Sequence, residues 1–452
     1  MDTKLWDHLI QNLPWCRNTR ELELTDSKVS QPYCVPSFKR GREWVGTLIG
    51  EPIMTPDLRK VLQHMSNVRR LRLSWTTGLD LLREVLDALV DSRHGLEEFD
   101  LSVQVSNNRR VLSGFSPTAY MEKLRGLQIW SNPNLTELRK LSIHFGRGHR
   151  KPCLPLGEMS YITTMLSKTQ ALTHLNLTID HTSALKSLLD QTWPNLENLV
   201  IGSNQTDLLP KDCSQAPSIL INFFKRHRKL TTLSLPSSIY HPHSQPYITM
   251  DSLPALVSFS YNPPVQVSLS NVLSTASARR LLHLTISEKN ASLMHSNMDI
   301  YKELISLRTC CITSEPPSPT NYENINRIIE NFVAHVTNLE KIHIPPIHGN
   351  VFEGIHFETL SLLQCLPRLT HLSGLTYRNG THREISTELY QFYQLKYLIS
   401  PLFSVGGRKP FCVFGLTRDK TKRCVLFEVV SDNSNPEYDM GTWGNLYKGM
   451  DA

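Results

Sequence analysis

The chain has 452 residues, of which 40% are hydrophobic and 20% are charged. This composition excludes a largely disordered chain, and the length exceeds what one small core needs. The formal net charge of +7 is a mild excess, and no basic stripe interleaved with aromatic residues indicates a nucleic-acid partner.

The sequence also gives no indication of export or of a membrane span. No apolar run reaches the length that crosses a bilayer, and the first eight residues lack the apolar segment of a signal peptide. The nine cysteines contain no Cys-x-x-Cys pair. We therefore expect reduced thiols, no membrane association, and a cytoplasmic or nuclear location.

One spacing recurs along the chain: an apolar residue, two others, an apolar residue, one other, and an apolar residue. The copies from residue 71 to residue 398 have a mean period of about 30 residues, close to the roughly 20–29 of leucine-rich repeats. The middle apolar residues of the thirteen copies are Leu22, Leu71, Phe99, Leu141, Leu175, Leu199, Leu233, Phe259, Leu284, Leu307, Ile342, Leu372 and Leu398.

This spacing predicts the architecture. The last two apolar residues of each copy alternate with polar ones, so they share one side of a short strand that must stack on similar units. We predict an α/β fold, a curved leucine-rich-repeat solenoid (horseshoe) with parallel inner strands, outer helices and about 12–13 irregular repeats. Helical spacing is found in residues 55–65, 80–89, 183–189, 216–224, 268–277, 324–333 and 357–365, with Thr55 as N-cap and Pro56 first in its helix.

Two repeats carry a family resemblance. Asn195-Leu-Glu-Asn-Leu-Val-Ile-Gly-Ser-Asn204 and Ala171-Leu-Thr-His-Leu-Asn-Leu177 resemble the ribonuclease-inhibitor-like repeats of fungal F-box proteins. The opening Leu5-Trp6-Asp-His-Leu9, followed by Leu13-Pro14, is similar to the segment that links F-box and repeats in that family. The resemblance implies the substrate-recognition part of an F-box-type ubiquitin-ligase adaptor.

We expect this chain to lack the F-box itself, because only 18 residues precede the first repeat. An F-box is a helical unit of roughly 40–50 residues, too large for that space. A ligase core subunit is therefore expected as a partner only if an F-box lies upstream. The alternatives are a free-standing leucine-rich-repeat scaffold or inhibitor, and an enzyme with a cryptic site.

The residues on either side of each middle apolar residue are predicted to point to the concave face, where solenoids commonly bind partners. The four pairs nearest the N-terminus alternate in charge sign, so part of that charge is expected to cancel. The predicted partner-binding residues are Arg70, Arg72, Glu98, Asp100, Lys140, His174, Asn176, Asn198, His283, Thr285, Lys341, His343 and His371.

No motif indicates catalysis or a cofactor. GxSxG, HExxH, P-loop and GxGxxG patterns are absent from the sequence, so we predict a non-enzyme without cofactors. His241-Pro-His243 could offer two metal ligands, but no third is evident, and a plain loop is the favoured interpretation.

The ends of the chain depart from the repeat. Residues 25–54 are predicted to be an insertion, and apolar runs at 411–416 and 424–430 predict a hairpin that covers one end of the solenoid. The predicted divisions are a cap or linker segment at 1–18, the solenoid at 19–400, a capping hairpin at 401–432 and a flexible tail at 433–452.

Overall fold

The structure is a computed structural model. It describes residues 18–25, 45–48, 56–75, 79–90, 95–105, 133–147, 160–178, 182–202, 216–236, 246, 248–261, 267–287, 299–313, 322–344, 357–373, 392–400, 412–418 and 424–428. These residues fall into two compact units, unit 1 up to Leu230 and unit 2 from Thr231.

Unit 1 alternates short strands with helices. Its elements are β1 (Glu21–Thr25), β2 (Val45–Leu48), α1 (Pro56–His64), β3 (Arg70–Trp75), α2 (Leu79–Val90), β4 (Glu98–Val105), a 3-10 helix (Pro133–Glu137), β5 (Lys140–Arg147), α3 (Ser160–Lys168), β6 (His174–Thr178), α4 (Thr182–Leu189), β7 (Asn198–Gly202) and α5 (Ala216–Arg226).

The strands of unit 1 follow the order β7-β6-β5-β4-β3-β1-β2. The pairs β1–β2, β1–β3, β3–β4, β4–β5, β5–β6 and β6–β7 are all parallel. Strand β2 lies within the segment predicted as an insertion and pairs with β1 at the edge of the sheet. The sequence did not indicate it, because Val45–Leu48 lacks the leading apolar residue of the repeat.

The repeat spacing explains the core of unit 1. The middle apolar residues Leu71, Phe99, Leu141 and Leu175 lie side by side in register, and each is at most 2% exposed. The backbone repeats as well: the carbonyl of Arg139, for example, accepts the N–H groups of residues 173 and 174 at 2.8 and 2.9 Å. Each strand is thus tied to its neighbour at the same point of the repeat.

The helices of unit 1 add their apolar sides to this core. In α2 the residues Leu82, Val85 and Leu86 are fully buried, which is the three- and four-residue spacing of one helix face. Helix α1 begins at Pro56, as predicted from the fixed φ of proline. Helix α3 was not predicted, although Ile162, Met165 and Leu166 carry the same spacing and are buried.

One buried histidine connects α5 to the loop before β7. The Nε2 of His227 accepts the backbone N–H of Trp193 at 2.9 Å, and its Nδ1 lies 2.8 Å from the carbonyl of Phe223. The His227 ring packs 4.0 Å from the Phe223 ring and is 1% exposed. Because Nε2 must accept a hydrogen bond, the ring is neutral with its proton on Nδ1, and burial lowers its pKa to about 4.

Unit 2 continues the alternation of strands and helices. Its elements are β8 (Thr232–Ser234), β9 (Ser258–Tyr261), α6 (Leu269–Val272), α7 (Thr275–Ala278), β10 (His283–Ser287), β11 (Thr309–Thr313), α8 (Tyr322–His335), β12 (Lys341–His343), α9 (Phe357–Gln364), β13 (His371–Ser373), β14 (Tyr397–Ser400), β15 (Cys412–Arg418) and β16 (Cys424–Glu428).

The strands from β8 to β14 pair in parallel with their sequence neighbours, whereas β15 pairs antiparallel with both β14 and β16. The middle apolar residues Phe259, Leu284, Ile342 and Leu372 are at most 1% exposed. The capping role of the β15–β16 pair and the predicted division points of the chain remain predictions.

Two predictions in unit 2 are wrong in detail. The middle apolar residue of β11 is Cys310, not Leu307, because Cys310 lies in register with Leu284 and Leu307 serves as the leading apolar residue. The helix predicted at 268–277 is two one-turn helices, capped by Ser268 and Ser274. The chain is extended between them at Leu273, which bridges to Ile248.

The parallel strands, the intervening helices and the shared register confirm the prediction of an α/β leucine-rich-repeat solenoid. Within the described residues, thirteen strands carry a middle apolar residue in register, six in unit 1 and seven in unit 2. The two residues that flank each middle residue form a separate surface, which we call the open face of each unit.

Candidate binding surface

The open face of unit 1 carries eight of the predicted partner-binding residues in two rows. The structure places all eight on strands with half-buried or exposed side chains. The first row runs through Glu21, Arg70, Glu98, Lys140, His174 and Asn198, and the second through Glu23, Arg72, Asp100, Ser142, Asn176 and Val200.

The first row is a ladder of ion pairs that crosses four strands. Arg70 pairs with Glu21 on one side and, at 3.7 Å, with Glu98 on the other. Glu98 also accepts from Lys140 at 2.9 Å. The charges whose alternation was predicted from the sequence therefore contact one another directly. The positive and negative side chains of this row largely neutralise each other.

The second row differs, although its charges alternate in the same way. Glu23, Arg72 and Asp100 lie in register on β1, β3 and β4. Arg72 is exposed and the two carboxylates are half-buried, yet none of the three takes part in an ion pair with another described residue. Their charges are available to groups outside the chain.

Next to the charged region, the open face of unit 1 is polar and ordered by hydrogen bonds. His174 Nδ1 lies 2.9 Å from the hydroxyl of Thr173, which donates to the carbonyl of Arg139 at 3.0 Å. The Thr173 hydroxyl has one proton, so His174 carries its own on Nδ1. Burial and then Lys140 lower the pKa of His174, which favours the neutral ring.

Beyond the second row, His144 extends this network across two strands. It bridges Ser142, 2.9 Å from Nε2, and Thr178, 3.3 Å from Nδ1. His144 was not among the predicted residues, although it lies two positions after Ser142 on the same side of β5. The period of the strand alone could have indicated it.

The open face of unit 2 contains His283, Thr285, Lys341 and His371 with half-buried side chains. His283, Lys341 and His371 share the first row, with Thr309 between His283 and Lys341. No aspartate or glutamate occupies this row, which continues to Ser258 and Thr232 on one side and to Tyr397 on the other. It therefore differs in charge from the ladder of unit 1.

His343, which was predicted to contact a partner, is buried in the structure. Its position on β12 points it to the open face, but the residue is 2% exposed. Nδ1 lies 3.0 Å from the Ser373 hydroxyl, and burial lowers the pKa of His343 to about 3. The alternation of apolar and polar residues along a strand predicts the side of the sheet on which a side chain lies. Its burial depends on the residues that pack against that side, and the local sequence does not specify them.

Cys311, His343 and Ser373 form a buried row that could suggest nucleophilic chemistry, since they lie in register on adjacent strands. Burial raises the pKa of Cys311 to about 12, so its thiol holds its proton, and the neutral form of His343 is favoured. A nucleophilic cysteine needs the opposite shift toward thiolate. This row has the chemistry of a packed interior.

The structure also bears on the remaining predicted features. Among the described residues, no group of three or more His, Cys, Asp or Glu side chains is placed to hold a metal ion. In the same part of the chain, no helix has the length and apolar character to cross a bilayer. His241-Pro-His243 lies outside the described residues. Leu307 as middle residue would have placed Ser306 and Arg308 on the open face. Because the middle residue of β11 is Cys310, the flanking residues are Thr309 and Cys311.

Comparison with known proteins adds little. The chain matches no protein-family model and no curated protein. Solved structures that match include a complex of Rad7 and Elc1 in yeast, at 14% identity and a TM-score of 0.34, covering 70% of this chain and 72% of the other. A TLR13–ssRNA13 complex matches at 13% identity and a TM-score of 0.30, covering 79% of this chain and 38% of the other. At these scores neither supports a conclusion about this chain.

Proposed function

We propose that the protein is a non-catalytic interaction module that binds another protein through the open face of its repeats. The observation that carries the proposal is the second row of unit 1, where Glu23, Arg72 and Asp100 lie side by side without an ion pair among the described residues. Alternating charges that no other described residue neutralises in an ion pair suit a partner of complementary pattern.

The ladder beside this row supports the same proposal. The ion pairs of Arg70 and Glu98 hold the first-row side chains in place, so the sheet offers a pre-ordered surface. A surface that is already ordered loses less conformational entropy when a partner binds. Charged contacts at such a surface contribute mostly to partner choice and association rate.

The experiment compares two double variants for their ability to retain a partner from an extract of the source cells. Arg72→Glu with Asp100→Lys reverses two open-face charges. The control, Arg59→Glu with Glu84→Lys, makes the same two charge reversals at exposed positions of α1 and α2. We expect the first variant to lose a protein that both the wild type and the control retain. Equal retention by both variants would overturn the assignment of the surface.

A narrower form of the proposal follows from the resemblance to fungal F-box proteins. In that form the open face selects substrates for a ubiquitin ligase, in the cytoplasm or nucleus, and a recruiting module completes the protein. A ligase core subunit should then co-purify with the full-length protein under conditions that preserve such complexes. A partner retained without any ligase subunit would favour the alternative, a free-standing scaffold or inhibitor.

A further inference from the structure

Among the residues that the structure describes, Lys341 has no carboxylate partner. It stands half-buried on the open face of unit 2 and forms no ion pair with any described residue. The acidic residue next to it in sequence, Glu340, already pairs with Arg308 at 3.9 Å. In unit 1, by contrast, the cations of the equivalent row are each matched by Glu21 or Glu98.

His283, in the same row, offers an unsatisfied polar atom. Its Nδ1 is buried and has no hydrogen-bond partner in the described part of the chain. Buried polar atoms in folded proteins almost always have a partner, and an unpaired one costs roughly 1–3 kcal/mol. Because this nitrogen is closed to solvent, a partner cannot reach it, and His283 is not a ligand of the site proposed below.

His371 lies beside Lys341 on the next strand and is held in a fixed orientation. Its Nδ1 is 2.8 Å from the hydroxyl of Thr370, which donates to the carbonyl of Glu340 at 3.2 Å. The His371 ring also packs against Tyr397, with ring centroids 4.7 Å apart. Since Nδ1–H donates to Thr370, the other nitrogen, Nε2, is the atom that takes up a proton.

We propose that Lys341 and His371, on adjacent strands, form an anion site that holds a side-chain carboxylate of an acidic peptide segment in the partner protein. This inference rests on the proposed function and names the chemistry of the partner at unit 2. Lys341 supplies the charge, and His371 donates from Nε2 after taking up a proton.

The surroundings favour a peptide over a nucleic acid. The row offers one unpaired cation, and its other members on this side are the hydroxyl residues Thr232, Ser258 and Thr309. A nucleic acid is held through a series of phosphates and needs several such cations. One cation bordered by hydroxyl groups instead matches a single carboxylate followed by the hydrogen-bonding backbone of a peptide.

Binding at this site should take up a proton. Burial lowers the pKa of His371 to about 4, with Lys341 and then Lys396 adding to the shift. Burial, then Lys341 and Arg308, lower the pKa of His283. Among the described residues, Lys341, Lys396 and Arg308 are the cations that shift these pKa values, and the Tyr397 ring packs against His371. A bound carboxylate opposes their effect and raises the pKa of His371, so binding tightens as the pH falls.

The test measures the binding of fluorescein-labelled hexaglutamate to the full chain by fluorescence anisotropy at low salt. We expect Lys341→Gln to weaken binding roughly tenfold, as for loss of one charge-assisted hydrogen bond. The matched control Arg327→Gln removes the same charge from an exposed position of α8 and should bind as the wild type. Lys341→Arg, which keeps the charge, should retain most of the affinity and shows that the site itself remains folded.

The pH dependence gives a second measurement. If the bound carboxylate raises the pKa of His371 by about 2 units, affinity at pH 5.5 exceeds that at pH 7.5 about fourfold. His371→Gln should remove most of this dependence. Equal affinities at the two pH values in the wild type would contradict the role of His371.

Several results would overturn the inference. Equal affinities of Lys341→Gln and Arg327→Gln would be one such result, and competition by free glutamate as effective as that of the peptide at the same carboxylate concentration would be another. Tighter binding of a labelled twelve-residue oligothymidylate than of hexaglutamate would assign the site to nucleic acid instead. If any of these results occurs while the Arg72 and Asp100 reversals still abolish partner retention, this inference fails and the proposed function stands.

Discussion

The buried histidine of α5 gives a prediction whose size follows from the structure. Replacing His227 by Gln removes a titrating ring and keeps a side-chain oxygen that can accept the N–H of Trp193. In the wild type the folded chain holds His227 neutral, with a pKa of about 4, whereas the ordinary pKa of a histidine is 6.5. Between these two values the unfolded chain binds a proton that the folded chain does not.

The sign of the effect follows from that difference. Proton binding by the unfolded state makes stability fall as the pH drops from above 6.5 toward 4. For these two pKa values, His227 alone accounts for a loss of about 2 kcal/mol in the free energy of unfolding between pH 7 and pH 5. His343 and His371 act in the same direction, so the test must compare the variant with the wild type.

The assay is urea unfolding followed by tryptophan fluorescence at pH 7 and pH 5. His227→Gln should lose about 2 kcal/mol less than the wild type between these pH values. The control His335→Gln, at the partly exposed end of α8, should keep the wild-type dependence. If His227→Gln and the wild type lose equal stability, the neutral buried ring and its hydrogen bond to Trp193 are refuted.

Three further predictions test the packing and charges. Glu98→Gln breaks two exposed ion pairs and should cost about 0.2–1 kcal/mol in urea unfolding at low salt; a loss that persists in 1 M salt would contradict this. Leu199→Ala, in the core of β7, should cost about 2–5 kcal/mol by the same assay, and a loss under 1 kcal/mol would refute its burial. Iodoacetamide should modify the exposed Cys365 in the folded chain, but Cys310 and Cys311 only after unfolding, because these two thiols are buried and protonated. Peptide mass mapping measures the modification, and labelling of Cys310 or Cys311 in the folded chain would contradict this state.

The repeat could be predicted because its signal is local and recurs. Twelve of the thirteen predicted middle apolar residues lie in register in the structure. The exception, Leu307, has apolar residues three positions away on both sides, Leu304 and Cys310, so the first two apolar positions of the repeat fit either alignment. Because the middle position is occupied by a cysteine, Cys310, and not by a leucine or another large apolar residue, the sequence did not indicate the correct alignment of this repeat.

The candidate surface could be predicted only in part. Alternation along each strand gave the side on which Arg70, Glu98 and Lys140 lie, but their ion pairs depend on the register between strands. The orphaned Nδ1 of His283 and the burial of His343 depend on packing from elsewhere in the fold. The few residues around each position in the sequence do not indicate such packing.

The central claim, that the open face binds the partner, is tested most directly by site-specific photocrosslinking. A photoreactive amino acid replaces Asn176 on the open face of β6 in one protein and the exposed Ser187 of α4 in another. Each is irradiated with the partner that the wild type retains from source cells. If the open face binds the partner, position 176 gives a covalent adduct and position 187 gives none. An adduct from position 187 alone would contradict it.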